Sequence, residues 1–210
     1  MNTKINSKTI VRNLLSSDEE VCIGENEELT YIFFTDSKKI LIDCRLSFYL
    51  SGTCSVVKVL GFSISAKHSA IVNLRTVHQD RETTGHVWIT SILGGNAENK
   101  IKGMIRIEKN APSTHAYFSH NSLLLSTGAK VSTSPALEIE TNEVKASHQA
   151  TVGHLDIETL FYLHCRGIPL PEAKKLVLTS FAHEHLHEIS DAVIRDTVSV
   201  YLDECINELI

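Results

Sequence analysis

The chain has 210 residues, 42% of them hydrophobic, enough to bury one ordinary core as a single domain or as a domain with an appendage. Its formal net charge of −5 argues against the broad basic surface that nucleic-acid binding needs, so nucleic acid is not an expected partner. No apolar run approaches the ~20 residues that cross a bilayer, and the opening MNTKINSKTIVRNLLSSDEE has neither an apolar signal core nor a cleavage site, which leaves a cytoplasmic location and no membrane partner as the expectation.

Residues 1–27 are polar and charged, with a weak helical hint in Ile10, Val11, Leu14 and Leu15; they read as an N-terminal arm or cap. Residues 28–155 have β texture. Apolar and polar residues alternate at Leu46, Phe48 and Leu50, at Ala70, Val72 and Leu74, at Val87 and Ile89, and at Ile105 and Ile107, a period of two with no helical period beside it. Turn signals at Ser51-Gly52, Gly94-Gly95-Asn96 and Asn110-Ala111-Pro112 divide this region into strands of roughly five residues. A sandwich, a barrel or a β-helix would fit. The polar strand faces rich in Ser, Thr, His and Asn, and the scarcity of tight-hairpin dipeptides, favour a stacked solenoid.

Residues 156–210 change to the helical period. Asp156 is placed to cap a first helix carrying Ile157, Leu160, Phe161 and His164, and Gly167 to end it. Pro171 suits the first turn of a second helix, with Ala173, Leu176, Val177, Ser180 and Phe181 as its apolar stripe. Ser190 is the expected cap of a third, whose one face holds Ile194, Val198, Tyr201, Leu202, Cys205, Ile206 and Leu209.

Candidate chemistry is sparse. Cys22, Cys44, Cys54, Cys165 and Cys205 are odd in number and never form C-x-x-C, so they read as free or buried thiols. His183 and His187 would share one helical face as an i, i+4 metal pair, although no third ligand accompanies them and a solvated helix end is the plainer reading. No phosphate-binding G-x-x-x-x-G-K-[ST] occurs, and Gly94-Gly95 is only a turn. His148 stands just before the change from strand to helix; taken alone it reads as a residue capping the last rung through a backbone hydrogen bond.

The segments SLLLSTGAKVSTSPALEI (Ser122 to Ile139), VKASHQATVGHLD (Val144 to Asp156), LFYLHCRGI (Leu160 to Ile168) and EAKKLVLTSF (Glu172 to Phe181) together resemble the SufB/SufD family, scaffold subunits of the SUF iron–sulfur cluster assembly system. The resemblance is specific over about 110–185 and loose upstream, and family members are commonly longer at the N-terminus. It implies a right-handed parallel β-helix followed by a small helical subdomain. The chain is more similar to SufD: a cysteine that SufB members carry is matched here by Ala129, and Gln149 follows the motif histidine where SufB members tend to have an acid. His115 and His120 stand where the family usually shows Asp and Asn.

The resemblance implies a non-enzymatic scaffold that pairs with a SufB-like paralogue through its last rungs. His148 would supply one imidazole to an iron–sulfur cluster or iron held transiently with the partner, and no stably bound cofactor is expected. A SufC-like ABC ATPase would dock on the helices through Leu160, Phe161, Tyr162, Arg166, Gly167 and Phe181, residues also needed to pack the helices together. Two other readings stand beside it: a self-associating solenoid that is a homodimer in isolation, and a β-helix enzyme acting on carbohydrate or acyl substrates. The last lacks a hexapeptide repeat and a pair of carboxylates to support it.

Overall fold

A computed structural model describes residues 6–14, 18–35 and 41–210. These form the strands β1 (Asn6–Leu14), β2 (Glu19–Ile23), β3 (Glu27–Thr35), β4 (Leu41–Leu50), β5 (Val56–Ser65), β6 (Ser69–His78), β7 (Thr84–Leu93), β8 (Glu98–Ile107), β9 (Thr114–Leu124), β10 (Lys130–Ile139) and β11 (Val144–His154), and the helices α1 (Ile157–Cys165), α2 (Leu170–Ala182) and α3 (Ala192–Leu209). One sheet has the order β1-β3-β5-β7-β9-β11 and the other β10-β8-β6-β4-β2. All pairings are parallel, so each strand hands the chain to the opposite sheet. Val56 faces Thr84, and the next residue position is met one coil later at His115. The result is a parallel β-solenoid of about five turns, each of roughly 30 residues.

The space between the sheets is filled from both sides. Tyr31, Phe33, Val57, Val59, Val87, Ile89 and Phe118 come from the six-stranded sheet; Leu46, Phe48, Val72, Leu74, Ile101 and Ile105 come from the five-stranded one. Two aromatic rings occupy room that a side chain would take. A Cβ on Gly61 would lie 2.3 Å from Phe33 Cζ, and one on Gly103 would lie 2.4 Å from Phe118 Cζ. Every alternating apolar position marked in the sequence is buried.

The strands are about twice as long as the sequence suggests, most of them 10 residues. In strands of the six-stranded sheet such as β5 and β7 the second halves hide because the pattern inverts: the interior lane becomes polar while the outer lane becomes apolar. The Ser, Thr, His and Asn residues expected on polar outer faces run in part through the interior. Ser63, Ser91 and Ser122 hold one register position in successive coils. Thr35 donates to Ser63 at 3.0 Å, Asn99 Nδ2 donates to Ser63 at 2.7 Å and to Ser91 at 3.1 Å, and His120 joins the seam at 2.8 Å from Ser91. Buried polar groups stay affordable only when so paired.

One corner of the solenoid repeats a left-handed residue, at Asn26, Cys54, Glu82 and Ser113, with φ between 55° and 60°. The backbone N–H of each donates to the carbonyl of the residue just ahead of the corner in the next coil: Thr53, Arg81, Pro112 and Glu143. Stacking thus offsets a conformation that non-glycine residues resist.

The first described strand replaces part of the expected arm: residues 6–14 pair in parallel with β3, because edge pairing satisfies the backbone better than an isolated short helix would. Leu15 lies outside the described residues. At the other end, the helices lie on the outer face of the six-stranded sheet rather than on the solenoid's end. Ile32, Phe34, Leu60, Phe62, Trp88 and Leu123 meet Leu178, Ala182, Leu186, Val198, Leu202 and Ile206 there. Asp156 caps α1 as expected, accepting from the N–H groups of Glu158 and Thr159. The cap of α3 is Asp191, not Ser190. In α2 the buried face is Ala173, Leu178 and Ala182, leaving Leu176 and Ser180 exposed; docking on the curved sheet turned the helix away from its sequence stripe.

Candidate functional site

The solenoid is open beyond β10 and β11. Each pairs with a neighbour on one side only, so two unpaired strand edges end the stack together, with Ile139 and Val152 exposed upon them. Such edges are templates for another chain.

His148 lies in β11 opposite Phe118 of β9. Register partners in a parallel pair point to the same side, and Phe118 fills the interior. His148 therefore sits on the interior side of the last coil, where no further coil covers it, and it is exposed. Its neighbours on that side, Ala146 and, from β10, Leu137, pack back on the core. Among the described residues His148 makes no hydrogen bond, ion pair or ring contact, so the reading of a rung cap bonded to backbone does not hold. Both ring nitrogens remain free for an outside group. Ala129 is buried against Leu93 and Ala97.

Beneath this open end lies His120, which the sequence marked only as a departure from a family pattern. Its Nε2 lies 2.8 Å from Ser91 Oγ and 3.1 Å from Ser122 Oγ, and its Nδ1 lies 2.7 Å from Thr133 Oγ1. Burial pushes its pKa down to about 4, so the ring is neutral and exchanges hydrogen bonds with hydroxyls. The sequence signal that would have found it is the recurrence of serine at one register position per coil. His115 stays on the outer face, exposed beside Tyr117 and Lys145.

The six residues expected to face an ATPase divide. Leu160 is buried and Phe181 packs partly into the helix–sheet core. Phe161 and Tyr162 are 67% and 57% exposed, continued by Ile157 at 79%. The guanidinium of Arg166 lies 5.3 Å from the centre of the Tyr162 ring, and Gly167 takes φ 89° to turn the chain out of α1.

The histidine pair at 183 and 187 does not form as expected. α2 ends at Ala182 and a 3-10 turn follows at Leu186–Glu188, so no single helical face carries both. His183 Nε2 sits 3.3 Å from Asp203 Oδ1, while His187 Nδ1 is 3.1 Å from the Glu184 carbonyl oxygen. Between them His185 stacks on Trp88. Among the described residues no three His, Cys, Asp or Glu side chains converge as a metal site.

Residues 16–181 match the family model described as SUF system FeS cluster assembly, SufBD core domain. The chain is similar to the iron–sulfur cluster assembly protein SufD of Escherichia coli (strain K12), 34% identical over 108 residues, which are 51% of this chain and 26% of that protein. It is 31% identical over 125 residues to SufD of Bacillus subtilis (strain 168), covering 59% of this chain and 29% of that one. With the SufBD family protein ycf24 of Antithamnion sp. it shares 25% identity over 170 residues, 80% of this chain and 57% of the relative. The chain thus spans between about a quarter and somewhat over half of these relatives' lengths.

Proposed function

The chain belongs to the SufBD core family of SUF-system iron–sulfur cluster assembly, on its SufD-like side, and from that membership we propose that it is a non-enzymatic scaffold subunit. Its open end at β10 and β11 receives a SufB-like paralogue, its helices receive a SufC-like ABC ATPase, and His148 lends one imidazole to iron or to a cluster carried as cargo at the junction.

The observation that carries this reading is the position of His148: on the interior side of the terminal coil, exposed, and free of any internal hydrogen bond. A histidine kept for structure would be paired or packed. Neutral imidazole suits iron, and a single imidazole is an incomplete site, so a second chain must complete it. Exposed Phe161 and Tyr162 support the helical docking face.

The same open edges favour a second reading, in which two copies of this chain pair end to end when no paralogue is present. Light scattering on the chain alone, and then co-expressed with a SufB-like subunit and a SufC-like ATPase, tests both. A complex holding all three proteins is expected, with any homodimer giving way to it; a chain that never leaves its own peak contradicts the proposal.

A further inference from the structure

On the side away from the helices, the outer face of the five-stranded sheet holds a groove of about 660 Å³. Its centre is set by register. Asn73 of β6 faces Arg45 of β4 on one side and Lys102 of β8 on the other, and Lys102 faces Ser134 of β10. In the next rank on the same face, Ser47, Arg75, Met104 and Ala136 stand side by side. Small Ser47 and Ala136 leave the hollow between the longer side chains.

Three cations therefore neighbour one carboxamide on a single sheet face, their backbone positions roughly 5–7 Å from it and about 8–10 Å from one another. Cations gathered on one face repel one another unless negative charge lies among them. The molecule supplies little of that. Arg45 meets Asp18 at 3.5 Å, an exposed pair that solvent screens. Arg75 and Lys102 make no ion pair among the described residues, and Arg75 Nε is buried without a hydrogen-bond partner. Arg106 offers the contrast: it is matched by Glu108, Glu138 and Glu140 at 3.9, 3.9 and 3.2 Å.

We propose that this groove binds a compact phosphoryl anion of the diphosphate class, with Arg75 and Lys102 as its main charge partners and Asn73, Ser47 and Ser134 donating to its oxygens. A guanidinium fork matches phosphoryl oxygens in pairs. The ligand is compact because Glu20 on β2 and Glu138 on β10 bound the groove at its two ends. An extended polyanion crossing the strands would meet a carboxylate at each exit, which sets nucleic acid aside. Tyr49 and Met104 line the same hollow and offer a surface to an organic group attached to the diphosphate. This inference does not depend on the scaffold reading.

Isothermal titration of the whole chain with inorganic diphosphate, with ADP, with citrate and with a short oligoglutamate peptide tests it. Diphosphate is expected to bind more tightly than citrate or the peptide, and to weaken several-fold as salt rises from low to physiological strength. Arg75→Gln and Lys102→Gln each weaken binding at least tenfold, whereas Arg106→Gln changes it less than twofold, all three with unchanged circular dichroism. If ADP binds tenfold more tightly than diphosphate, the source is a nucleotide held also by Tyr49 and Met104; equal affinities make it the free anion. Binding that ignores both substitutions, or that favours citrate or oligoglutamate, overturns the proposal.

Discussion

His148 and Phe118 occupy the same register position in adjacent strands, yet one is exposed and the other buried. The difference is one coil: Phe118 is covered by β11, and among the described residues no further strand pairs with β11. A position that elsewhere in the solenoid builds the core here faces outward with an imidazole on it. This uncovered position supports the proposed pairing of the terminal coil with a second protein.

Because His148 makes no hydrogen bond, ion pair or ring contact among the described residues and is exposed, its removal should leave the fold intact. His148→Ala is expected to change unfolding free energy by less than about 0.5 kcal/mol, measured by urea denaturation. A loss of several times that size would return His148 to a structural role.

The interior near the same end is far less tolerant. Gly103→Ala would set a Cβ 2.4 Å from the Phe118 ring, and overpacking of this kind costs about 1–3 kcal/mol. A variant as stable as the parent would show that Phe118 has room to move.

The helices offer a matched contrast. Leu178 is 1% exposed in the core between α2 and the sheet, so Leu178→Ala should cost about 2–5 kcal/mol. The double change of exposed Phe161 and Tyr162 to alanine should leave stability nearly unchanged while abolishing capture of a SufC-like ATPase in a pull-down. Retained capture would move the docking surface elsewhere.

Stability should fall with acid through two buried histidines. His78 and His120 are each held down to about 4, chiefly by burial, against an ordinary value near 6.5. The unfolded chain therefore takes up protons that the folded one refuses. Their contribution is complete above pH 6.5 and is lost as pH falls from there toward 4, by roughly 2 kcal/mol per histidine between pH 7.5 and 5.0. His120→Asn should remove one of these shares, seen as a shallower pH dependence of the urea midpoint; an unchanged slope would mean that His120 protonates without cost.

In the six-stranded sheet half of each long strand was legible in the sequence because its apolar residues alternate over a single core. The other half was not, since between the sheets it carries a polar seam at Ser63, Ser91 and Ser122 and, outside, an apolar lane at Leu60, Phe62 and Trp88 that waits for helices from the far end of the chain. Local patterning does not distinguish an inward serine held by Asn99 from an outward one in water. The same limit hid the face of α2: residues 173 to 181 carry apolar groups on two sides, and only the docked sheet selects Leu178 over Leu176. His148 was visible as a motif residue, whereas its freedom from partners depended on which coil comes last. Arg75 and Lys102 gave no signal at all, being 27 residues apart in a chain whose register is set by folding.

The proposed role of His148 is to lend one imidazole to a site that a second subunit completes. Anaerobic reconstitution of the co-expressed complex with iron and sulfide, wild type against His148→Ala, measures it through iron bound per complex and the visible cluster absorption. The account expects the variant to assemble the same complex and hold markedly less cluster. Equal iron content and equal absorption in two intact complexes would contradict it.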